Sequence, residues 1–396
     1  MIHMRQDSKD IQYVVGTKEC VNNMQKVPAL QPFSDSVILF LDALSRNLQS
    51  SANKEFSDVA SFGFWCRKAA LLIEKKRYTD KIGRLGLGVV FHSTPSNVAV
   101  NFAFSFAAGL LAGNCNIVRL PRRNFQQVDI ICSAINEVLK EHVKMQPYIV
   151  MVRYDSSKDI SDFFSSLANA RIIWGGDATI ERMRQSPIPP RSRDICFADR
   201  YSLLVMNADV LLAEASLEQV ARAFYNDTYQ TDQNACTSPI FIIWTGKEKS
   251  KGKQVFWEAV GKLKARYDMA VSQVVDKLTA FYLLSAQLPV ELVPMNDNFI
   301  TRVVVSKMDA AFIRFKAAGG FFFEYDTDNL NELLPLLGVK CQTVTYYGLD
   351  RFLIEDVVRT SGCRGVDRIV PIGQSMAFSL RWDGYDLIYE LSRIIS

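Results

Sequence analysis

The sequence predicts an α/β protein built on parallel β-sheet, and three observations carry that reading. Between residues 88 and 184, short apolar runs alternate repeatedly with helical patterns. A second alternating block begins near residue 203, after the breaker cluster 187–193 (PIPPRSR). Hydrophobic residues make up 48% and charged residues 22% of the 396, which is a globular composition and excludes a disordered chain. Strands that alternate with helices need crossover connections, so they align in parallel under a cover of helices. The length suffices for two or three domains, with a boundary near 190–210.

Residues 1–34 read as irregular. Apolar residues at helical spacing predict helices over 35–50 and 56–76. The alternation then runs strand 88–92, helix 97–112, strand 116–120, helix 126–142, strand 148–153, helix 157–168, strand 171–174 and helix 177–184. The second block runs strand 203–206, helix 218–229, strand 240–244 and helix 252–267. Further strands are expected at 301–305, 320–324 and 341–347. Helices are expected at 308–317, 328–336 and 350–359, with a last one over 385–395.

Net charge is +4, too small to argue for nucleic acid but compatible with an anionic substrate or cofactor. Eight cysteines without a CxxC pair, and only three histidines, argue against a disulfide scaffold and against a zinc or other metal site. Reduced thiols suit a cytoplasmic protein. The N-terminus has no apolar signal core. The longest apolar stretch, 98–111, is too short to span a membrane and reads as a buried helix.

One thiol stands apart from the others. Cys236, in DQNACTSP (232–239), falls between a predicted helix and a predicted strand, with polar neighbours. An element end can both expose and aim a nucleophile. The other seven cysteines read as core fillers. The glycines of GRLGLG (83–88) precede a strand instead of following one, so they read as a turn and not as a dinucleotide loop. Asn97 reads as a helix N-cap or as an amide donor to an oxyanion. In WGGD (174–177), Gly175 and Gly176 either let a phosphate approach a helix N-terminus or make a tight turn capped by Asp177. Arg119, Arg122 and Arg123 at a strand end are a solvated surface or a grip for a 2′-phosphate, which would favour NADPH over NADH. His92, at another strand end, reads as a satisfied, semi-buried histidine.

These pieces together resemble the aldehyde dehydrogenase superfamily. The segment 88–121 (GVVFHSTPSNVAVNFAFSFAAGLLAGNCNIVRLP) is similar to the first half of its core, and RIIWGGDATIERM (171–183) to its second cofactor segment. SLLVMNAD (202–209) resembles the strand leading into the catalytic domain, and DQNACTSP the nucleophile segment. Within the superfamily, the histidine of the first strand, the WGGD turn and GVDRIVPIG…RWDGYDL (365–387) resemble the long-chain acyl-CoA reductases of the bacterial-luminescence type. The resemblance spans roughly 80–396 and is weaker over 245–360.

The resemblance implies two parallel-sheet, Rossmann-like domains with the active site between them. An N-terminal and NAD(P)-binding part would cover 1–208, a catalytic part 209–372, and a segment 373–396 would pack back on the core. It implies Cys236 as nucleophile, and Asn97 with the Cys236 backbone N–H as oxyanion hole. Arg119 would stand at the cofactor ribose, and Gly175, Gly176 and Asp177 near its phosphates. The implied reaction is NADPH-dependent reduction of a fatty acyl-CoA to the aldehyde through an acyl-cysteine, with NADH as the other candidate cofactor. An acyl-CoA or acyl-protein donor, a partner acyl-protein synthetase and a homo-oligomer are implied too. Hydrolytic relatives carry a glutamate base where this chain has Ile195, with Asp194 one place off. A hydrolytic NAD(P)-dependent aldehyde dehydrogenase and a non-catalytic acyl-carrying scaffold are the competing readings.

Overall fold

The computed structural model describes residues 11–49, 56–78, 83–95, 98–294 and 297–395. The chain forms two compact units: one runs to Ala198 and resumes at Tyr385, the other is Asp199–Gly384.

The first unit holds a six-stranded sheet in the order Gln12–Val15, Ile149–Arg153, Cys115–Arg119, Val89–Ser93, Ala170–Trp174, Arg193–Phe197. Only Gln12–Val15 is antiparallel to its neighbour. Val89–Ser93 comes first of the parallel strands. The next two extend the sheet to one side, and the chain then crosses back to build the other, so strand order reverses at Val89–Ser93. Val89–Ser93 and Ala170–Trp174 are buried along their whole length, as parallel strands covered on both faces must be. The expected intervening helices are present as Asn101–Leu111, Gln126–Glu141, Lys158–Leu167 and Asp177–Arg184.

The second unit holds seven strands in the order Val290–Val293, Thr301–Val305, Phe321–Asp326, Pro239–Thr245, Tyr201–Asn207, Cys341–Tyr347, Arg368–Pro371. All pairs are parallel except that of Val290–Val293 with Thr301–Val305. Period-two alternation splits the apolar residues between two cores. Leu203, Val205, Phe241, Ile243 and Phe323 enter one; Leu204, Met206, Ile242, Trp244 and Phe322 enter the other.

Several elements differ from expectation. The predicted helix 56–76 is two helices, Ser57–Trp65 and Lys68–Lys75. The stretch 1–34 contains strand Gln12–Val15 and helix Lys18–Asn23, capped by the Thr17 hydroxyl. Gly83–Gly86 is not a turn but an edge strand, paired antiparallel with Ser392–Ile395. A Cβ at Gly86 would stand 2.3 Å from the Gly113 carbonyl oxygen, so only glycine fits that approach. The predicted last helix shrinks to Leu387–Glu390 because the chain beyond it becomes that pairing strand. The helices expected at 308–317 and 328–336 are 3₁₀ segments, Ala310–Phe315 and Leu330–Leu336, the latter containing Pro335. Helix Val271–Ser285 was not expected: it buries only Lys277 and Leu284, so it lacks a readable apolar stripe. Tyr201–Asn207 pairs in the second unit's sheet, residues 373–384 stay with that unit, and 385–395 join the first. No helix among the described residues is long and apolar enough to cross a membrane.

Candidate active site

Cys236 lies on the short link between helix Leu217–Thr228 and strand Pro239–Thr245, as the sequence suggests. Two left-handed residues, Asp232 (φ 53°) and Gln233 (φ 59°), turn the chain there. Such backbone persists only where the surroundings fix it. The Asp232 carbonyl accepts from Gly319 N at 2.9 Å, and its carboxylate from the Tyr267 hydroxyl at 3.0 Å. The buried Gln233 amide saturates itself: Nε2 donates to the carbonyls of Pro239 (3.2 Å) and Phe321 (2.9 Å), and Oε1 accepts from Gly320 N (2.9 Å) and Phe321 N (3.0 Å). The Cys236 carbonyl accepts from the buried Ser202 hydroxyl at 2.7 Å, which itself accepts from Thr343 N at 3.3 Å. The Cys236 backbone is thereby tied to two strands at their amino ends.

Cys236 is partly buried, not the exposed thiol expected. Burial, reinforced by the nearby Asp383 carboxylate, pushes its thiol up to about 12. A hydrogen bond from the Gln342 side chain and the charge of Arg200 act the other way. Reasoning from sequence missed Gln342, Asp383 and Arg200. Arg200 lies 36 residues before Cys236, and Gln342 and Asp383 lie 106 and 147 after it, so no local pattern marks them. Of the other cysteines, Cys66, Cys115, Cys132 and Cys341 are buried; Cys20, Cys196 and Cys363 are partly exposed, Cys363 packing against the edge of the second unit's core.

In the first unit, Arg119 ends strand Cys115–Arg119, and Gly175–Gly176 follow the end of strand Ala170–Trp174. One strand, Val89–Ser93, separates them, so they flank the point where strand order reverses. Carboxyl-end crevices at such a point are where open α/β sheets bind nucleotides. The Arg119 guanidinium stacks over the Tyr154 ring (4.3 Å), and Nη2 donates to the Tyr154 carbonyl at 3.4 Å. Its Nε is buried with no hydrogen-bond partner among the described residues. Gly176 is the N-cap of helix Asp177–Arg184, without a side-chain cap bond, and Asp177 is the first helical residue. The N-terminal amides of that helix are presented at an exposed turn. Arg122 and Arg123 are exposed; Arg122 donates to the Ser156 hydroxyl at 3.2 Å, and Arg123 lies over the Phe125 ring. Asn97 lies outside the described residues, and the helix it was expected to begin starts at Asn101.

His92 is wholly buried, beyond the semi-burial expected. Its Nε2 faces Asn116 Oδ1 at 2.9 Å and its Nδ1 faces the Ser105 hydroxyl at 2.9 Å. An amide oxygen only accepts, so Nε2 carries the proton and Nδ1 accepts from Ser105. Burial lowers this histidine to about 4, which keeps it neutral. Gly109 makes room: a Cβ there would stand 2.1 Å from Asn116 Oδ1 and 3.1 Å from the ring. Asp194 is also committed. It receives Nε and Nη2 of buried Arg171 at 2.7 and 2.9 Å, and Ile195 beside it is buried.

Comparison with known proteins adds the following. The family model described as acyl-CoA reductase (LuxC) matches residues 36–283, a range that includes Cys236. No curated protein matches the chain in sequence. Among solved structures, the chain is similar to a NAD-dependent benzaldehyde dehydrogenase from Corynebacterium glutamicum, at 14% identity over 99% of this chain and 95% of that one, with a TM-score of 0.65. It is similar to the aldehyde dehydrogenase KauB from Pseudomonas aeruginosa, at 13% identity over 95% and 86%, with a TM-score of 0.67. It is similar too to an indole-3-acetaldehyde dehydrogenase complexed with NAD⁺, at 12% identity over 95% and 86%, with a TM-score of 0.68. At such identity the likeness speaks to the fold, which is aldehyde-dehydrogenase-like α/β.

Proposed function

Because this chain belongs to the acyl-CoA reductase (LuxC) family, we propose that it reduces a fatty acyl thioester to the aldehyde with NADPH, carrying the acyl group on Cys236. The observation that carries this reading is the bracing of the Cys236 backbone through Ser202 and Gln233, which presents one thiol on an immobilised link. The Cys236 sulfur attacks the thioester carbonyl and the bond to the coenzyme A sulfur breaks. The thiol proton ends on the departing coenzyme A, so the exchange is balanced without ATP. The Asn97 amide and the Cys236 backbone N–H are assigned to the tetrahedral oxyanion. Losing one such donor typically costs about a hundredfold or more in rate.

Residues of the first unit fit a nicotinamide dinucleotide. Arg119, with its unpartnered Nε, and the helix N-terminus behind Gly175 and Gly176 flank the point where strand order reverses. Asp177 begins that helix. When bound, the cofactor supplies hydride to the acyl carbon; the chain's own part is to hold it, to hold the acyl group and to take back the sulfur. The arginine at position 119 supports NADPH over NADH. The commitment of Asp194 to Arg171 disfavours hydrolysis, which needs a free base to activate water.

The test is mass spectrometry of the intact protein after exposure to acyl-CoAs of graded length, followed by peptide mapping. A covalent acyl adduct on Cys236, discharged as aldehyde on adding NADPH, is expected. An unmodified Cys236, or an adduct released as free acid, would overturn the reading.

A further inference from the structure

The Cys236 sulfur shares its surroundings with a polar cluster drawn from separate parts of the second unit. Gln342 comes from strand Cys341–Tyr347, Arg200 precedes strand Tyr201–Asn207, and Asp383 follows Trp382. Gln342 is fully buried and Asp383 nearly so. Among the groups acting on the Cys236 thiol, the Gln342 side chain favours its anionic form, as a hydrogen-bond donor does. Its Nε2 also donates to Asp383 Oδ1. Arg200 Nη1 lies 3.9 Å from the same carboxylate oxygen and pairs with Asp367, while Nη2 donates to the Cys341 carbonyl at 2.9 Å. Asp383 itself adopts a left-handed backbone (φ 50°). The charged groups acting on the sulfur are Asp383, Arg200 and Arg368.

The chemistry of an amide gives this arrangement a direction. A carboxylate only accepts, so the NH₂ end of Gln342 must face Asp383. That same NH₂ has a second N–H, and a sulfur anion is an acceptor for it. Were the amide reversed, its oxygen would confront both the carboxylate and the sulfur.

We propose that Gln342 is a positioning residue that donates an N–H to the Cys236 sulfur as it becomes anionic, and that Asp383, held by Arg200, fixes which end of the amide points there. The donor acts twice in the cycle: as the thiol gives up its proton on attack, and as the sulfur leaves with its electron pair when the aldehyde forms. Asp383 has a second, opposing effect, because its charge repels the anion and keeps the resting thiol protonated. This inference rests on Cys236 being the nucleophile.

Alkylation of Cys236 by iodoacetamide at pH 8, followed peptide by peptide, tests the pair without needing turnover. Gln342→Leu removes the donor and slows labelling. Asp383→Asn keeps an acceptor oxygen for Gln342 but removes the repelling charge, and so speeds it. A thiol pKa change of one unit alters the rate roughly threefold, after allowing for the linked change in nucleophilicity. General loosening of the fold would speed labelling in both variants and would also expose buried Cys341, which serves as the internal control. Opposite shifts of about threefold or more, with Cys341 unlabelled, are expected. Labelling of Gln342→Leu at or above the wild-type rate overturns the inference. Gln342→Glu, nearer in shape, also labels more slowly and is read the same way should the leucine variant not fold. Acyl loading of the wild type is a separate readout: its absence would defeat the nucleophile reading and leave the labelling result standing.

Discussion

Arg171 grips both carboxylate oxygens of Asp194, at 2.7 and 2.9 Å, from a position that is 1% exposed. Its remaining N–H groups reach the Ser165 hydroxyl and the carbonyls of Met183 and Ser186. Asp194 is therefore a counter-ion. Asp194→Ala strands a buried cation and is expected to cost about 3 kcal/mol, at the low end for a broken buried pair because three acceptors remain. Thermal or denaturant unfolding checks this. Where the variant folds, it should still yield aldehyde; a switch from acid to aldehyde product on this substitution would restore Asp194 as a base.

Cys236→Ala should abolish both acyl loading and aldehyde formation while leaving the unfolding midpoint nearly unchanged. Intact-mass analysis and an aldehyde assay read the two losses. Near-normal turnover of the alanine variant would sink the covalent route.

Gln233 makes four hydrogen bonds that hold the turn before Cys236. Gln233→Ala leaves buried partners unsatisfied, at a cost of about 2–3 kcal/mol. The rate of Cys236 acylation is expected to fall at least as much as stability does, because the turn would relax. Single-turnover acylation at a temperature where the variant is folded provides the measurement.

His92 is depressed to about 4 by burial. A depressed group stabilises the fold above its unfolded value near 6.5, and that contribution is lost as pH falls through about 4. The full effect is about 3 kcal/mol. NMR of the imidazole should show one neutral tautomer at pH 6, and His92→Gln should flatten the stability slope between pH 6.5 and 4. An imidazole titrating near 6.5 would refute the buried network.

Asp227 runs the opposite way in the second unit. It is fully buried and accepts from Gly373 N (2.6 Å) and Ser375 N (2.9 Å), yet burial outweighs these donors and raises it to about 6. A raised group contributes stability below its unfolded value near 3.8, and that contribution is lost as pH rises through about 6. The effect is again about 3 kcal/mol. Stability of Asp227→Asn should lack this fall between pH 4 and 7; an unchanged slope would reassign it to another group.

How much of this was legible depended on how residues announce themselves. Buried parallel strands such as Val89–Ser93 and Pro239–Thr245 are continuous apolar runs and were readable. Helix Val271–Ser285 was not, because Val271, Val275, Tyr282 and Leu283 face outward and blur its stripe. The strand Ser392–Ile395 reads as helix in sequence because its partner, Gly83–Gly86, lies some three hundred residues away. The same holds at the site. Cys236 sits in a local motif, whereas Gln342, Asp383 and Arg200 converge only through strand pairing and backbone turns.

The first unit is interrupted by the whole of the second: residues 199–384 are inserted before Tyr385 returns the chain to it. During synthesis on a ribosome, the strand Gly83–Gly86 therefore waits unpaired while some three hundred residues are added, until Ser392–Ile395 emerges to close it. The buried Leu387, Ile388 and Leu391 arrive equally late. The first unit's six-stranded sheet is complete by Phe197, so it is this closing pair that waits for the inserted unit to be made.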